Sequence, residues 1–269
     1  MAREFDPGYG AEPFRSLVAD APGAQVYPQS DFRLEWGPVF HRGRLDGSAR
    51  VLVLGQDPAQ HETILRRILV GEAGHRTQGF LAKLGIKTSY VMVNTFLYSV
   101  FGQSGGDKHR NNPDIAAYRN RWLRALLSGT NVEAVVALGT LADNAWHTFA
   151  SAPESAGVQV KYAPITHPTQ PEAAGGDAAT HAAAIKALLA NWNAGLQALS
   201  PLRQPDQPVP LTLYGEAFAP GEKAEIPEID TPAWAPEWMR LNDGWAERPG
   251  SGKTKRASIL IRVPPAYLP

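Results

Sequence analysis

The 269-residue chain contains no cysteine. That absence removes disulfides, thiolate nucleophiles, Cys-ligated zinc and Cys-ligated iron–sulfur clusters together. No stretch approaches the roughly 20 apolar residues needed to span a bilayer. The N-terminal MAREFDPGYG lacks the apolar core of a secretory signal, so a cytoplasmic location is the default expectation. The seven histidines are scattered, with no pair spaced for a metal site on one helix, and neither a metal nor another cofactor is expected. There is also no excess charge of either sign, since 26 basic residues balance 26 acidic ones. Broad coating by nucleic acid calls for a basic protein, but contact with a few phosphates around one nucleotide does not. Hydrophobic content of 43% and charged content of 19% describe an ordinary globular chain. Its length suits one large domain with an extension, or two small domains.

Four apolar runs organise the chain: VLVLG at 51–55, SYVMVNTFLYSVF at 89–101, VEAVVALG at 132–139 and VQVKYAPITHP at 158–168, the last breaking at Pro164. Helical patterns lie between and after them at 61–70, 78–85, 115–127, 141–150 and 181–199. Strands alternating with helices predict an α/β fold, an αβα sandwich around a central four-stranded parallel sheet, over residues 1–200. Composition changes after residue 200: 12 of the 23 prolines fall in 201–269, together with Trp234, Trp238 and Trp245. Proline without low complexity, but with aromatics of the buried type, predicts an ordered, irregular extension packed on the main domain. GSGKT at 250–254 looks like the end of a phosphate loop. Glu247 stands where that motif needs its first glycine and no strand precedes it, so it is rejected as a nucleotide site.

The first run ends in GQDP. Ligands of open α/β sheets bind beyond the carboxyl ends of the strands, and Gly55 would let a ligand approach the backbone closely. Two plainer readings stand beside this one. GQDP can be a strand-ending turn, and Asp57 can cap the helix that follows. Asn94 and His167 fall at the ends of the second and fourth runs, so both can converge on Asp57 at one sheet edge. A carboxylate can orient water or support a developing cation. An imidazole can hold negative charge on a leaving group, and a carboxamide matches the edge of a pyrimidine. His61 and His75 read as surface residues.

GQDP, then VNTFLYSV, then HPTQP resemble, in order, the GQDPYH, LLLNxxLTV and HPSPL motifs of the uracil-DNA glycosylase superfamily. ILVGEAGHRTQGFL (68–81) and VVALGTLADNAW are similar to the PFVGRAGxLL and IVxLGxxA segments of its iron–sulfur branch. The resemblance spans roughly residues 48–199. It implies removal of uracil from DNA by hydrolysis, with Asp57 positioning water, Asn94 reading uracil, and His167 stabilising the departing anion. The Gly55–Gln56 backbone would lie against the base, which is flipped out of the helix. The departures are specific. Ala59 replaces the tyrosine that excludes thymine, and the stacking phenylalanine falls at Leu69 or Val70. Pro171 replaces the leucine wedge. The iron–sulfur ligands are absent, one of their positions falling near Arg119.

DNA contacts are expected from Ala59, from Thr169 and Gln170, and from Lys108, His109 and Arg110 in the glycine-rich loop 102–114. The three arginines at 119, 121 and 124 read equally well as a solvated helix face. One branch of the superfamily carries a histidine in a basic KRRIH loop and becomes joined covalently to the sugar. The loop around His109 is shorter and lacks that sequence, so a monofunctional, monomeric glycosylase acting on uracil-containing DNA is the leading expectation. A non-catalytic binder of uracil or damaged DNA, and a nucleoside or nucleotide N-glycoside hydrolase, are the competing ones.

Overall fold

The structure is a computed structural model and describes residues 9–102, 106–250 and 258–268. Most of the MAREFDPGYG terminus, part of the glycine-rich loop and the SGKT portion of GSGKT lie outside the described residues. The apolar runs form strands that are covered on both faces. Strands β2 (Val51–Gly55), β3 (Tyr90–Asn94) and β4 (Ala134–Leu138) are buried throughout. Strand β5 (Lys161–Ile165) sits at an edge with a partly exposed face. These four pair in parallel in the order β3–β2–β4–β5, with Gly55 opposite Asn94 and Leu138 opposite Ile165. β5 continues through Pro164, where a break was expected. An edge strand tolerates proline because only one side of its backbone is paired.

The sheet is five-stranded and mixed rather than four-stranded and parallel. A two-residue strand β1 (Arg42–Gly43) pairs antiparallel with β3, and it is too short to leave a periodic signal. Arg42 fixes it there, donating from Nε to the Ile68 carbonyl at 2.8 Å and from Nη1 to the Tyr90 hydroxyl at 2.8 Å.

Helices cover both faces. On one side α1 (Phe14–Ala19), α4 (Pro113–Leu127) and α5 (Thr140–Ala150) pack Phe14, Ile115, Trp122 and Phe149 onto Leu52, Leu54, Val91 and Val135. On the other, α3 (Glu72–Lys83) and α7 (Ala178–Leu199) pack Phe80, Leu189 and Trp192 onto Val51, Val53, Met92 and Val136. Helix α4 begins where the sequence signals it, with Pro113 in its first turn and the Asn112 side chain accepting from the Asp114 and Ile115 amides. The helix expected over 61–70 stops early, at Leu65 of α2 (Gln60–Leu65). Arg66 there takes a left-handed conformation (φ 56°), and its guanidinium donates to the carbonyls of Trp36 and Pro38. Among the described residues no helix is long and apolar enough to cross a membrane.

The described part of the extension lies against the sheet edge and α3. Asp206 Oδ2 accepts from three successive amides, Lys87, Thr88 and Ser89, at 2.7–3.0 Å. Gly79 is glycine for a steric reason, because a Cβ would sit 1.8 Å from the Glu222 carbonyl. Asp230, fully buried, is gripped by Arg44 and the Tyr90 hydroxyl, with Arg42 at 3.7 Å. A third cluster joins Trp238 and Met239 of α8 (Trp238–Leu241) and Trp245 to Leu65, Val70 and Ile226. His61 and His75 are therefore not surface residues. His61 Nε2 accepts the Ala246 amide at 3.2 Å and its ring stands edge-on to Trp245, while the His75 carbonyl accepts from Ala224. Burial holds both imidazoles below the usual histidine range.

Candidate active site

The chain's path puts the site between β2 and β4. β3 lies on one side of β2 and β4 on the other, so the connections pass to opposite faces of the sheet. The carboxyl ends of β2 and β4 then diverge into a crevice, where ligands of such folds bind. An open cleft of about 820 Å³ occupies that position. Its lining includes Gln56, Asp57 and Ala59 after β2, Thr140 and Leu141 after β4, and His167, Thr169 and Gln170 after β5. Gly139 lets these loops meet. With φ 83°, a Cβ there would lie 2.6 Å from Gln56 Nε2 and 3.1 Å from His167 Cβ. Gln56 itself donates from Nε2 to the Leu138 carbonyl at 3.4 Å, tying the two strand ends together.

Asp57 does not cap α2. The N-cap is Ala59, whose amide donates to Glu62 Oε2 at 3.0 Å. Asp57 Oδ2 instead accepts from the Val100 amide at 3.1 Å, bracing the loop after β3. Burial pushes its carboxyl up to about 6, opposed first by that amide. The charge of Glu62 adds to the rise, and Arg248 and Arg33 oppose it. At neutral pH Asp57 is ionised but remains a competent proton acceptor, the range suited to general-base work.

His167 is held from two sides. Trp192 Nε1 donates to the Thr166 carbonyl at 2.8 Å, and Asn191 Oδ1 accepts from the Thr166 amide at 2.6 Å. On the other flank Arg76 of α3 donates to the Pro168 carbonyl and pairs with Glu172 at 2.7 Å. Burial brings the His167 pKa down to about 4, with Glu172 opposing and Arg76 reinforcing, so the ring is neutral at pH 7. The Thr169 amide donates to Nδ1 at 3.3 Å. Nδ1 is then the acceptor nitrogen, and the ring proton resides on Nε2. A neutral imidazole with a fixed Nε2–H is a donor that needs no protonation step.

The remaining expected residues are placed differently. Leu69 and Val70 are buried in the two apolar clusters on either side of α3's entry and do not reach the cleft lining. Leu69 carries a left-handed backbone (φ 55°), its carbonyl lying against Gly74. Neither can stack on a base in the cleft. Gly55 does not leave room for a ligand, because Asn94 Oδ1 takes that space, 2.3 Å from where a Cβ would stand. Asn94 lines a separate interior void of about 10 Å³, together with Arg119, Tyr118 and Trp122, and is absent from the cleft lining. Pro171 is buried in α6 (Gln170–Ala173) and cannot act as a wedge.

The basic residues of the glycine-rich loop have carboxylates beside them where the loop is described. Lys108 and His109 both contact Asp31, at 3.3 and 2.9 Å, and Arg110 pairs with Asp107 at 2.7 Å. Each of the three thus already faces a carboxylate on the surface. Nor do the three arginines of α4 form one solvated face. Arg121 is exposed and pairs with Asp20, and Arg124 donates to two carbonyls, but Arg119 is buried. Sequence reasoning passed over four contributors: Arg76 behind His167, Gly139 between the strand ends, and Arg33 and Arg248 in the cleft wall. Only Gly139 left a trace, as a strand-ending glycine matching Gly55.

No family model matches the chain, and a search of curated proteins finds no match to it. Among the described residues no group of three or more His, Asp or Glu side chains is arranged to hold a metal ion.

Proposed function

We propose that the protein is a monofunctional DNA glycosylase that hydrolyses the N-glycosidic bond of uracil. The observation that carries this reading is one cleft, at the sheet's switch point, flanked by an ionisable carboxylate and a neutral imidazole with opposite roles. Asp57, ionised above about pH 6, orients a water and faces the positive charge that develops on the sugar. His167, neutral and with its proton on Nε2, donates to the oxygen on which the departing base accumulates negative charge. The volume of about 820 Å³ exceeds the needs of a base alone and accommodates a flipped nucleotide with its flanking backbone. The order of GQDP, VNTFLYSV and HPTQP supports uracil as the base. The burial of Leu69, Val70 and Asn94 away from the cleft favours a second reading, a binder of damaged DNA that does not cut the bond.

One assay separates them. A uracil-containing oligonucleotide is incubated with the protein in excess chelator and then treated with alkali, which cuts abasic sites. Strand scission at the uracil position supports the glycosylase. Retention of the oligonucleotide without scission supports the binder, and a strict metal requirement discards the mechanism.

A further inference from the structure

The cleft has a wall that the motif-bearing domain does not supply. After Trp245 the extension forms β6 (Ala246–Glu247), which pairs antiparallel with β7 (Leu260–Ile261), and Arg248, the next residue after β6, lines the cleft with Asp57 and Gly102. Its anchor is firm. Trp245 is buried, with its indole N–H on the Met239 carbonyl at 2.9 Å, and the Ala246 amide is held by His61. Almost every other basic group near the cleft is committed. Lys108, His109 and Arg110 are paired with carboxylates, Arg76 bridges Glu72 and Glu172, and Arg33 donates to Ser99 and to the Val100 carbonyl. Arg248 is half-buried and, among the described residues, makes neither an ion pair nor a hydrogen bond. A guanidinium at a cleft wall, one residue beyond the paired strand β6 and with its donors unused among the described residues, is built to receive an anion. Asp57 in the same lining is itself anionic, so the ligand's negative charge must lie on the Arg248 side of the cleft. A backbone phosphate next to an extruded, uncharged nucleoside has that distribution.

We propose that Arg248 binds a backbone phosphate of the strand whose base enters the cleft, which makes the C-terminal extension part of the DNA-binding face. This rests on the glycosylase reading for the identity of the ligand. Arg248 also opposes the rise of the Asp57 pKa, so its removal has a second, independent signature.

The test uses the full chain and a labelled single-stranded oligonucleotide with one tetrahydrofuran abasic site, which cannot be turned over. Affinity is measured by anisotropy against salt concentration for the parent, Arg248→Ala, Arg248→Lys and Arg203→Ala. Arg203 is an exposed extension residue paired with Glu133 and outside the cleft. Each phosphate contact on a single strand contributes about 0.7 to the slope of log K against log salt. Arg248→Ala should reduce the slope by about that amount, while Arg248→Lys and Arg203→Ala keep the parental slope. In Arg248→Ala the acid limb of the uracil-release profile should also move to higher pH. A parental slope in Arg248→Ala, in a parent that binds DNA and releases uracil, overturns the role of Arg248 alone. A parent that neither binds the oligonucleotide nor releases uracil overturns the glycosylase reading with it.

Discussion

Asp57→Asn separates a mechanistic carboxylate from a structural one, because the two predict opposite signs in stability. In the folded chain burial raises the Asp57 carboxyl from 3.8 to about 6. The folded state therefore holds this proton more tightly than the unfolded chain does, and stability is lost as pH rises from 3.8 through 6. At 1.36 kcal/mol per pH unit, the ionised group costs about 3 kcal/mol at pH 8. Water in the open cleft reduces that, so about 1–3 kcal/mol is the working range. Asparagine keeps the shape, and its side-chain oxygen still accepts the Val100 amide, but it carries no charge. With about 2 °C per kcal/mol for a chain of this size, Asp57→Asn should melt about 2–6 °C above the parent at pH 8. The difference should shrink to about a third of that near pH 4.5 and fall toward zero only below about pH 3.8. Glu62, Arg33 and Arg248 act on the same carboxyl and are common to both proteins, and so is His167, whose depressed pKa acts between about 6.5 and 4 in each alike. Uracil release should fall by about 10²–10⁴-fold. Scanning calorimetry at the two pH values, beside single-turnover kinetics, reads both effects. A variant that is less stable at pH 8, or equally shifted at both, refutes the buried-carboxylate argument; activity within about threefold of the parent removes Asp57 from the mechanism.

His167→Ala should slow single-turnover uracil release by about 10²–10³-fold, or roughly 2.7–4 kcal/mol, with DNA affinity little changed; weaker binding at an intact saturated rate would make the residue a phosphate contact instead. Arg76→Met should lower the same rate by about 10²-fold by releasing the Pro168 carbonyl, and it is checked by a fall in kcat at a parental KM. Asp230→Ala leaves Arg42 and Arg44 without their buried acceptor and should cost about 3–5 kcal/mol in denaturant unfolding; a loss under 1 kcal/mol would show that the extension is not clamped through this residue.

The layers were legible because they follow from composition that repeats. Runs such as Val51–Leu54 and Val135–Leu138 are short, apolar without alternation and rich in valine, the pattern of a strand covered on both faces. The spacing of Ile115, Trp122 and Leu126 likewise marks one face of a helix. What escaped was set by single residues. Strand β1 contributes two positions, and Arg42, a charged residue, occupies one of them because each of its guanidinium nitrogens finds an acceptor inside. Helix α2 ends at Arg66 although arginine is an ordinary helix former; there the backbone is left-handed and the guanidinium bonds two carbonyls of a distant loop. Neither outcome is visible in any window of neighbouring residues.

The site divides the same way, and the division is physically informative. Asp57 and His167 could be paired from the sequence because parallel strands bring their carboxyl ends to one edge whatever the side chains do. Leu69, Val70 and Asn94 could not be placed by that rule, since their direction depends on what fills the space beside them. At Asn94 the deciding contact is Gly55, whose missing Cβ admits Oδ1 and turns the carboxamide toward the interior void with Arg119. Arg248 is the most remote from sequence reasoning, standing 191 positions after Asp57 in a region of no periodicity. Its place depends on a chain of long-range contacts, from Asp206 and Asp230 at the sheet edge to Ala246 on His61. Each of those polar contacts is buried or multiply bonded, and each would be costly to leave unmade. A segment serving only as a cover needs apolar area, which Trp238 and Trp245 already provide. The additional carboxylates fix the extension's register against α3 and β3, and a fixed register is what a residue aimed into a cleft requires.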